Sequence, residues 1–324
     1  MQKRPLIILT GPTAVGKTKA SIGLAKAVGG EIISADSMQI YKYMNIGSAK
    51  IRPEETQGIS HYLVDELEPD EEFHVVRFQE MAKQAMEQIY QKRKIPILVG
   101  GTGFYIQAVL YDIDFTENEG DDSYRKELEQ LARINGDEWL HERLRAVDDA
   151  SAQEIHAHNV KKVIRALEFY HQTGQKISEH NAVQRQKESP YAFAYFVLND
   201  ERAHLYERIN QRVDLMIEEG LVQEVEGLKA RGYTRDMVSM QGLGYKEMLD
   251  YLDGIYSLED AVSIIKRDTR HFAKRQITWF KRERDVIWID KQQYGYDEEK
   301  ILEYMLNVLK GKRIIPEKER NQKE

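Results

Sequence analysis

Apolar residues follow two rhythms along this chain, and their alternation predicts its plan. Leu6 to Thr10 is a short apolar run closed by glycine, and the periodic segment Lys17 to Val28 comes after it, so strand, tight loop and helix succeed one another. Glu31 to Ala35, His61 to Val64 and Ile95 to Val99 are further short β-rich runs. Between the last two, Phe78, Met81, Ala82, Ala85 and Ile89 recur at helical spacing within Val75 to Lys92. Strands alternating with helices of this length imply an α/β protein with a parallel sheet covered by helices.

The rhythm breaks at the acidic stretch Ile113 to Asp122, and strand character returns only at Ala194 to Leu198, after the polar stretch Gln184 to Pro190. The interval reads as an inserted, all-helical domain. Tyr124 to Asn135, Asp137 to Val147 and Val160 to Thr173 lack β-branched clusters, and Gly174 suits a helix C-cap. Asp200 is placed to cap a helix over Glu201 to Glu219, more helices run to about Arg284, and Val286 to Ile289 supplies a last strand. The expected division is a core in two parts, 1–115 and 191–310, an insertion over 116–190, and a charged, frayed tail over 311–324.

Composition removes whole classes of chemistry. The chain has no cysteine, so disulfides, thiol nucleophiles, zinc ribbons and iron–sulfur clusters drop out. No apolar run approaches the roughly 20 residues of a membrane span, and the N-terminus enters a strand without a signal-peptide pattern. A soluble, cytoplasmic, monomeric protein is expected. The net charge of -7 speaks against a nucleic-acid partner, yet its distribution reverses the picture, because Ile264 to Arg284 holds eight Lys/Arg and His271 against two acids. Within that stretch Lys266, Arg270 and Lys274 recur on one helical face, and Lys161, Lys162 and Arg165 form a second basic group in the insertion. Such faces are either solvated or laid against RNA. Trp279, Tyr245 and Tyr105 are aromatic residues that either stack bases or belong to the core. His61, His74, His156, His158 and His271 show no metal-ligand spacing.

The sharpest motif is Gly11-Pro12-Thr13-Ala14-Val15-Gly16-Lys17-Thr18, a phosphate-binding loop lying between a strand and a helix as its mechanism requires. Backbone N–H groups and the helix N-terminus form an anion cradle, Lys17 adds a mobile charge, and the Thr18 hydroxyl can ligate Mg²⁺. The same cradle serves ATP-binding motors and kinases. The best buried strand, Ile95 to Val99, ends in Gly100-Gly101-Thr102-Gly103 where a motor would carry a metal-holding carboxylate, which leaves group transfer. Asp36 and Ser37 sit just past the end of a strand, at the sheet edge where α/β proteins bind ligands. A carboxylate there either takes a proton from an incoming nucleophile, helps place Mg²⁺, or merely caps a turn. Thr102, among glycines that imply close backbone approach, lies in either a site or a tight turn.

Six blocks carry a family resemblance: Gly11 to Thr18, Asp36-Ser37-Met38-Gln39-Ile40-Tyr41 with Met44 to Lys50, Gly100 to Tyr105, Lys161 to Glu168, Gly242 to Glu247, and Ala273 to Arg282. In this order, from about Pro5 to Ile289, the chain closely resembles bacterial tRNA dimethylallyltransferases, also called tRNA isopentenyltransferases. The resemblance implies a P-loop NTPase-like parallel sheet core, helices on both faces, and an inserted helical domain that binds tRNA. It implies transfer of a dimethylallyl group from dimethylallyl diphosphate to N6 of the adenosine 3′-adjacent to the anticodon. Gly11 to Thr18 would then hold the donor diphosphate with Mg²⁺, Lys17, Thr18 and Arg212 would act on the leaving group with Arg208 nearby, and Asp36 would accept from the adenine amino group. Thr102 would touch the target nucleotide. Asp36, Ser37, Met38 and Gln39 would line the anticodon stem-loop, as would Lys161, Lys162, Val163, Ile164 and Arg165. Gln241, Gly242, Gly244 and Tyr245 would join them, with Lys274, Arg275, Gln276, Trp279 and Lys281 from the basic stretch. Two rivals remain at this point: a small-molecule kinase of nucleotide or shikimate type, and a nucleotide-gated RNA-binding module without chemistry.

Overall fold

The computed structural model describes residues 3–115 and 123–316 and divides into two compact units. One is built from the described residues up to Leu110 and from Pro190 onward, and the other is Tyr111–Ser189.

The first unit is a six-stranded sheet in the order β3-β2-β4-β1-β5-β6, with every pairing parallel. The strands are β1 (Arg4–Thr10), β2 (Gly30–Ser34), β3 (His61–Tyr62), β4 (Ile95–Gly100), β5 (Tyr191–Asn199) and β6 (Val286–Asp290). The central strands are continuous apolar runs because both sheet faces are covered. Ile7 lies opposite Ile97 on one side and Ala194 on the other, and all three are fully buried. Crossovers are made by α1 (Lys17–Val28), α2 (Val75–Gln91) and α3 (Gly103–Leu110), which supply Leu24, Phe78 and Ile106 to the interior.

The second unit contains α4 (Ser123–Asn135), α5 (Asp137–Val147), α6 (Asp149–Glu154), α7 (Val160–Thr173) and α8 (Ile177–Gln186). Leu128, Leu140, Leu144, Val163 and Leu167 form its own small core. Buried Asp148 fastens it, accepting from the N–H and hydroxyl of Ser151 at 3.1 and 2.7 Å and from those of Ser178 at 3.0 and 2.7 Å. Gly174 ends α7 in the left-handed region, φ 68°, with its N–H on the Tyr170 carbonyl.

The first unit then continues with α9 (Arg202–Glu218), α10 (Leu221–Ala230), α11 (Tyr245–Leu252), α12 (Leu258–Phe280) and α13 (Glu298–Gly311). Two expectations fail here. Asp200 is not the N-cap of α9, which is Glu201; its carboxylate instead accepts from the Glu201 N–H at 2.7 Å and the Tyr296 hydroxyl at 3.1 Å and contacts the His204 ring. Nor is the chain frayed over 310–316, since α13 packs on α1 and β5 and buries Ile301, Met305 and Leu309 in the main core, and Ile314 beyond its end is buried there too. Its apolar residues Ile301, Leu302, Tyr304, Met305, Leu306, Val308 and Leu309 outnumber its charged ones, and the signal for a packed helix was present in the sequence. Residues 116–122 of the acidic break and 317–324 of the tail lie outside the described residues.

Candidate active site

A fully parallel sheet places the carboxyl ends of all its strands along one edge. Ligands bind at that edge where the chain order reverses, beside β1. The loop Gly11–Gly16 leaves β1 there. Gly11 has φ 145°, and a Cβ on it would lie 2.3 Å from the Leu198 carbonyl oxygen, so only glycine fits beside β5. Ala14 at φ 64° and Gly16 at φ 101° complete the turn.

The loop's carbonyls are taken up by cations. Lys17 Nζ donates to the Gly11 and Pro12 carbonyls at 3.0 and 2.9 Å, Arg208 Nε to Ala14 at 2.8 Å, and Lys291 Nζ to Val15 at 3.3 Å. No side chain caps α1, whose first turn begins at Lys17. An uncapped helix start behind a ring of cations is an anion site. Burial pulls the Lys17 ammonium down to about 8, with Arg212 pushing the same way and Asp36 opposing. Burial and Arg208 likewise lower the Arg212 guanidinium while Asp36 holds it up. Lys17, Arg212 and Asp36 therefore share one field.

Asp36 follows β2, and one of its carboxylate oxygens accepts from the Met38 N–H at 2.8 Å, so it closes a turn as well as facing the cations. The glycines at and after the end of β4 are required by three neighbours. A Cβ would lie 2.1 Å from the Ala35 carbonyl oxygen at Gly100, 2.1 Å from Gln276 Nε2 at Gly101, and 2.2 Å from the Trp279 ring at Gly103. Thr102 thus sits in a turn locked to β2, its N–H on the Ala35 carbonyl at 3.2 Å. Gln276 joins the two loops, accepting from the Thr13 N–H at 2.8 Å and donating to the Gly101 carbonyl at 3.0 Å.

The expected RNA-facing residues separate by burial. Lys274, Arg275 and Trp279 line, with His271, Thr278 and Arg282, a groove of about 430 Å³ on α12 and beyond it, and Lys281 is exposed beside them. Trp279 is 36 % exposed and meets the Phe104 ring edge-on at 6.2 Å. Lys161 and Lys162 are exposed and Arg165 half-buried on α7. Gly242 brings the segment after α10 onto the acceptor turn, since a Cβ there would lie 2.5 Å from Met38 Cε. Gln241 is exposed, Gly244 is the N-cap of α11, Ser37 is half-buried, and Gln39 accepts from the Ser34 hydroxyl at 3.0 Å.

Several side chains turn inward and cannot meet RNA directly. Val163 and Ile164 are in the core of the second unit. Tyr245 is fully buried with its hydroxyl on Glu224, and Tyr105 stacks on Phe78 at 4.5 Å, so both are core residues and not base platforms. Gln276 is consumed by its two backbone partners. Lys266 and Arg270, the start of the supposed basic stripe, bind Asp214 and Asn210 of α9 at 2.5 and 2.6 Å. Lys291 and Glu224 were missed by sequence reasoning. Position just past the last strand could have marked Lys291; Glu224 has no local signal, its backbone partners lying 177–179 positions away.

Among the described residues no group of three or more His, Cys, Asp or Glu could hold a metal. The Thr18 hydroxyl belongs to the loop motif itself, and the Asp36 carboxylate acts on Lys17 beside it. A donor set this sparse is the kind Mg²⁺ takes where it keeps waters and shares substrate phosphates.

Fold and site together are those of an α/β protein of the P-loop type. The IPP transferase family model matches residues 39–283. A tRNA dimethylallyltransferase of Lachnoclostridium phytofermentans is 61% identical over 312 residues, 96% of this chain and 99% of the relative, and one of Acetivibrio thermocellus is 50% identical over 93% and 97%. A tRNA isopentenylpyrophosphate transferase structure from Bacillus halodurans superposes with TM-score 0.72 at 42% identity, covering 96% of this chain and 98% of that one. A eukaryotic dimethylallyltransferase solved acting on tRNA gives TM-score 0.83 at 28% identity, covering 98% and 81%. This chain belongs to the IPP transferase family.

Proposed function

We propose that this chain transfers a dimethylallyl group from dimethylallyl diphosphate to N6 of the adenosine 3′-adjacent to the anticodon of tRNA, releasing diphosphate. The observation that carries this reading is the cation-ringed loop with the Asp36 carboxylate acting on its Lys17 and Arg212, in a chain 61% identical to a tRNA dimethylallyltransferase. The family membership also sets aside the kinase reading and the RNA-binding module without chemistry.

The chemistry follows from where charge develops. An adenine amino group is a weak nucleophile because its lone pair is delocalised, so the carbon it attacks must be strongly electrophilic. As the allylic C–O bond stretches, positive charge spreads over the allyl unit and negative charge collects on diphosphate, where loop amides, Lys17 and Arg212 are already arranged. No phosphoryl group moves. Asp36 receives the proton that the amino nitrogen sheds as it bonds to carbon. Mg²⁺, held through Thr18 and the donor's own oxygens, would neutralise part of the diphosphate charge. Thr102, fixed beside Asp36, positions the nucleotide, whose extrusion from the stack requires a few kcal/mol. The α12 groove and Lys161, Lys162 and Arg165 take the RNA backbone. The loop could also admit ATP, but as a competitor for the cradle and not as a substrate.

Among the described residues no helix is long and apolar enough to cross a membrane, and we place the enzyme in the cytoplasm as a monomer. The deciding experiment incubates the chain with dimethylallyl diphosphate, Mg²⁺ and unmodified tRNA and weighs the anticodon loop. A five-carbon gain on one adenosine is expected, and Asp36→Ala should abolish it while retaining both substrates. No gain with the native chain would sink the reading.

A further inference from the structure

Lys291 opens the short turn that follows β6, and the parallel sheet brings it to the same edge as the phosphate loop. It is 4 % exposed, far more buried than lysine tolerates without partners. Two groups hold its ammonium: Glu298 Oε1 at 2.9 Å and the Val15 carbonyl at 3.3 Å. Its Nζ also lies 3.1 Å from where a Cβ on Gly16 would stand, so it presses on bare loop backbone. Glu298 alone would have satisfied the charge nearer to solvent, where that carboxylate is partly exposed. The Val15 contact is therefore the one that burial serves.

The peptide bond gives this contact its meaning. In a planar trans peptide the carbonyl and the following N–H point in opposite directions. Holding the Val15 carbonyl on Lys291 aims the Gly16 N–H away from Lys291. Gly16 needs such a hold, because a glycine at φ 101° has many alternative conformations of similar energy. We propose that Lys291 is a positioning residue for the donor site: it fixes the Val15–Gly16 peptide with its N–H turned into the cradle, and it adds positive charge behind the diphosphate. This rests on the reading of the loop as the diphosphate site. Glu298 is its counterweight, orienting the ammonium while reducing its field.

Titration calorimetry of inorganic diphosphate with Mg²⁺ into the full chain tests this, with tRNA affinity measured in parallel. Lys291→Gln should weaken diphosphate binding about tenfold, the effect expected of one charge-assisted hydrogen bond, and leave tRNA affinity unchanged. Glu298→Gln keeps the lysine and an acceptor for it but removes the opposing charge, so diphosphate should bind up to about threefold tighter. Diphosphate binding by Lys291→Gln equal to the native chain overturns the inference, as does an equal loss of tRNA affinity. If Lys291→Gln does not fold, the Glu298 variant decides: weakened diphosphate binding there marks the pair as a structural staple and ends the proposal. A native chain that ignores diphosphate overturns the reading of the loop itself, a different failure.

Discussion

The Glu224 carboxylate and the Tyr245 hydroxyl meet at 2.8 Å, and the contact closes a ring of four donors on one acid. The other three are the N–H groups of Asn45, Ile46 and Gly47, at 2.8, 2.8 and 3.1 Å. The Tyr245 ring fills the space beside Gly47, where a Cβ would lie 2.6 Å from it. A loop only a few residues past Asp36 is thereby pinned to α10 and α11 by one side chain from each.

Glu224→Ala should destabilise the fold by about 2 kcal/mol, because it strands a partly buried hydroxyl and several N–H groups at once. Tyr245→Phe keeps the ring over Gly47 and loses one bond, so about 1 kcal/mol is expected. Urea unfolding gives the order. A phenylalanine variant less stable than the alanine one would show that the carboxylate is not the clamp.

If the loop holds the donor diphosphate as proposed, Lys17 should make donor affinity pH-dependent within a working range. Burial brings its pKa down to about 8, and only its protonated form attracts the diphosphate. The sign follows: kcat/KM for the donor should be highest below pH 8 and fall as pH rises through that value. A bound anion favours the charged form, so kcat at saturating donor should hold to higher pH. Lys17→Met should be weak and flat across the same range. A native profile that is level from pH 7 to 9.5 would remove Lys17 from the donor site.

Much of the fold was legible because periodicity survives when both sheet faces are covered. β1, β4 and β5 are unbroken apolar runs, and α1, α5 and α7 span the segments expected of them. The glycine-rich loop between β1 and α1 was legible because its motif is local in sequence. The residues that tune it were not. Gln276 reaches the loop across 263 positions and Lys291 across 276; the place of Lys291 just past the last strand was a hint, but nothing beside Gln276 announces a partner so far away. The basic stretch misled for a related reason: charge is visible in sequence, but whether Lys266 faces RNA or Asp214 is decided by where α9 packs.

Gln276 was expected to touch RNA, and its geometry predicts a donor-side defect instead. Gln276→Ala leaves the Thr13 N–H and the Gly101 carbonyl without their shared bridge, freeing the phosphate loop from the turn that carries Thr102. Misplacement of the loop by a fraction of an ångström should raise the donor KM about tenfold and lower kcat by a similar factor. The KM for tRNA should hardly move. Steady-state kinetics with each substrate varied in turn separates the two, and a defect confined to tRNA would restore Gln276 to the RNA side.

The groove on α12 supplies the complementary test, because among the described residues Lys274, Arg275 and Arg282 form no ion pair of the kind that holds Lys266, Arg275 only lying over the Phe272 ring at 5.7 Å. Lys274, Arg275 and Arg282 line it. Removing one phosphate-binding charge should make the slope of log affinity against log salt shallower by about 0.7 to 0.9 and weaken tRNA binding several-fold at low salt. Lys274→Gln, Arg275→Gln and Arg282→Gln should therefore flatten the salt dependence stepwise, with kcat at saturating tRNA preserved. Lys266→Gln should behave differently, since its ammonium already holds Asp214 on α9 at 2.5 Å. Its expected effect is a small loss of stability with the salt slope unchanged, as for a partly exposed ion pair. If Lys266→Gln flattened the slope as much as Lys274→Gln, RNA would have to compete successfully for a lysine that this structure commits to its own neighbour, and the assignment of the groove's boundary would be wrong.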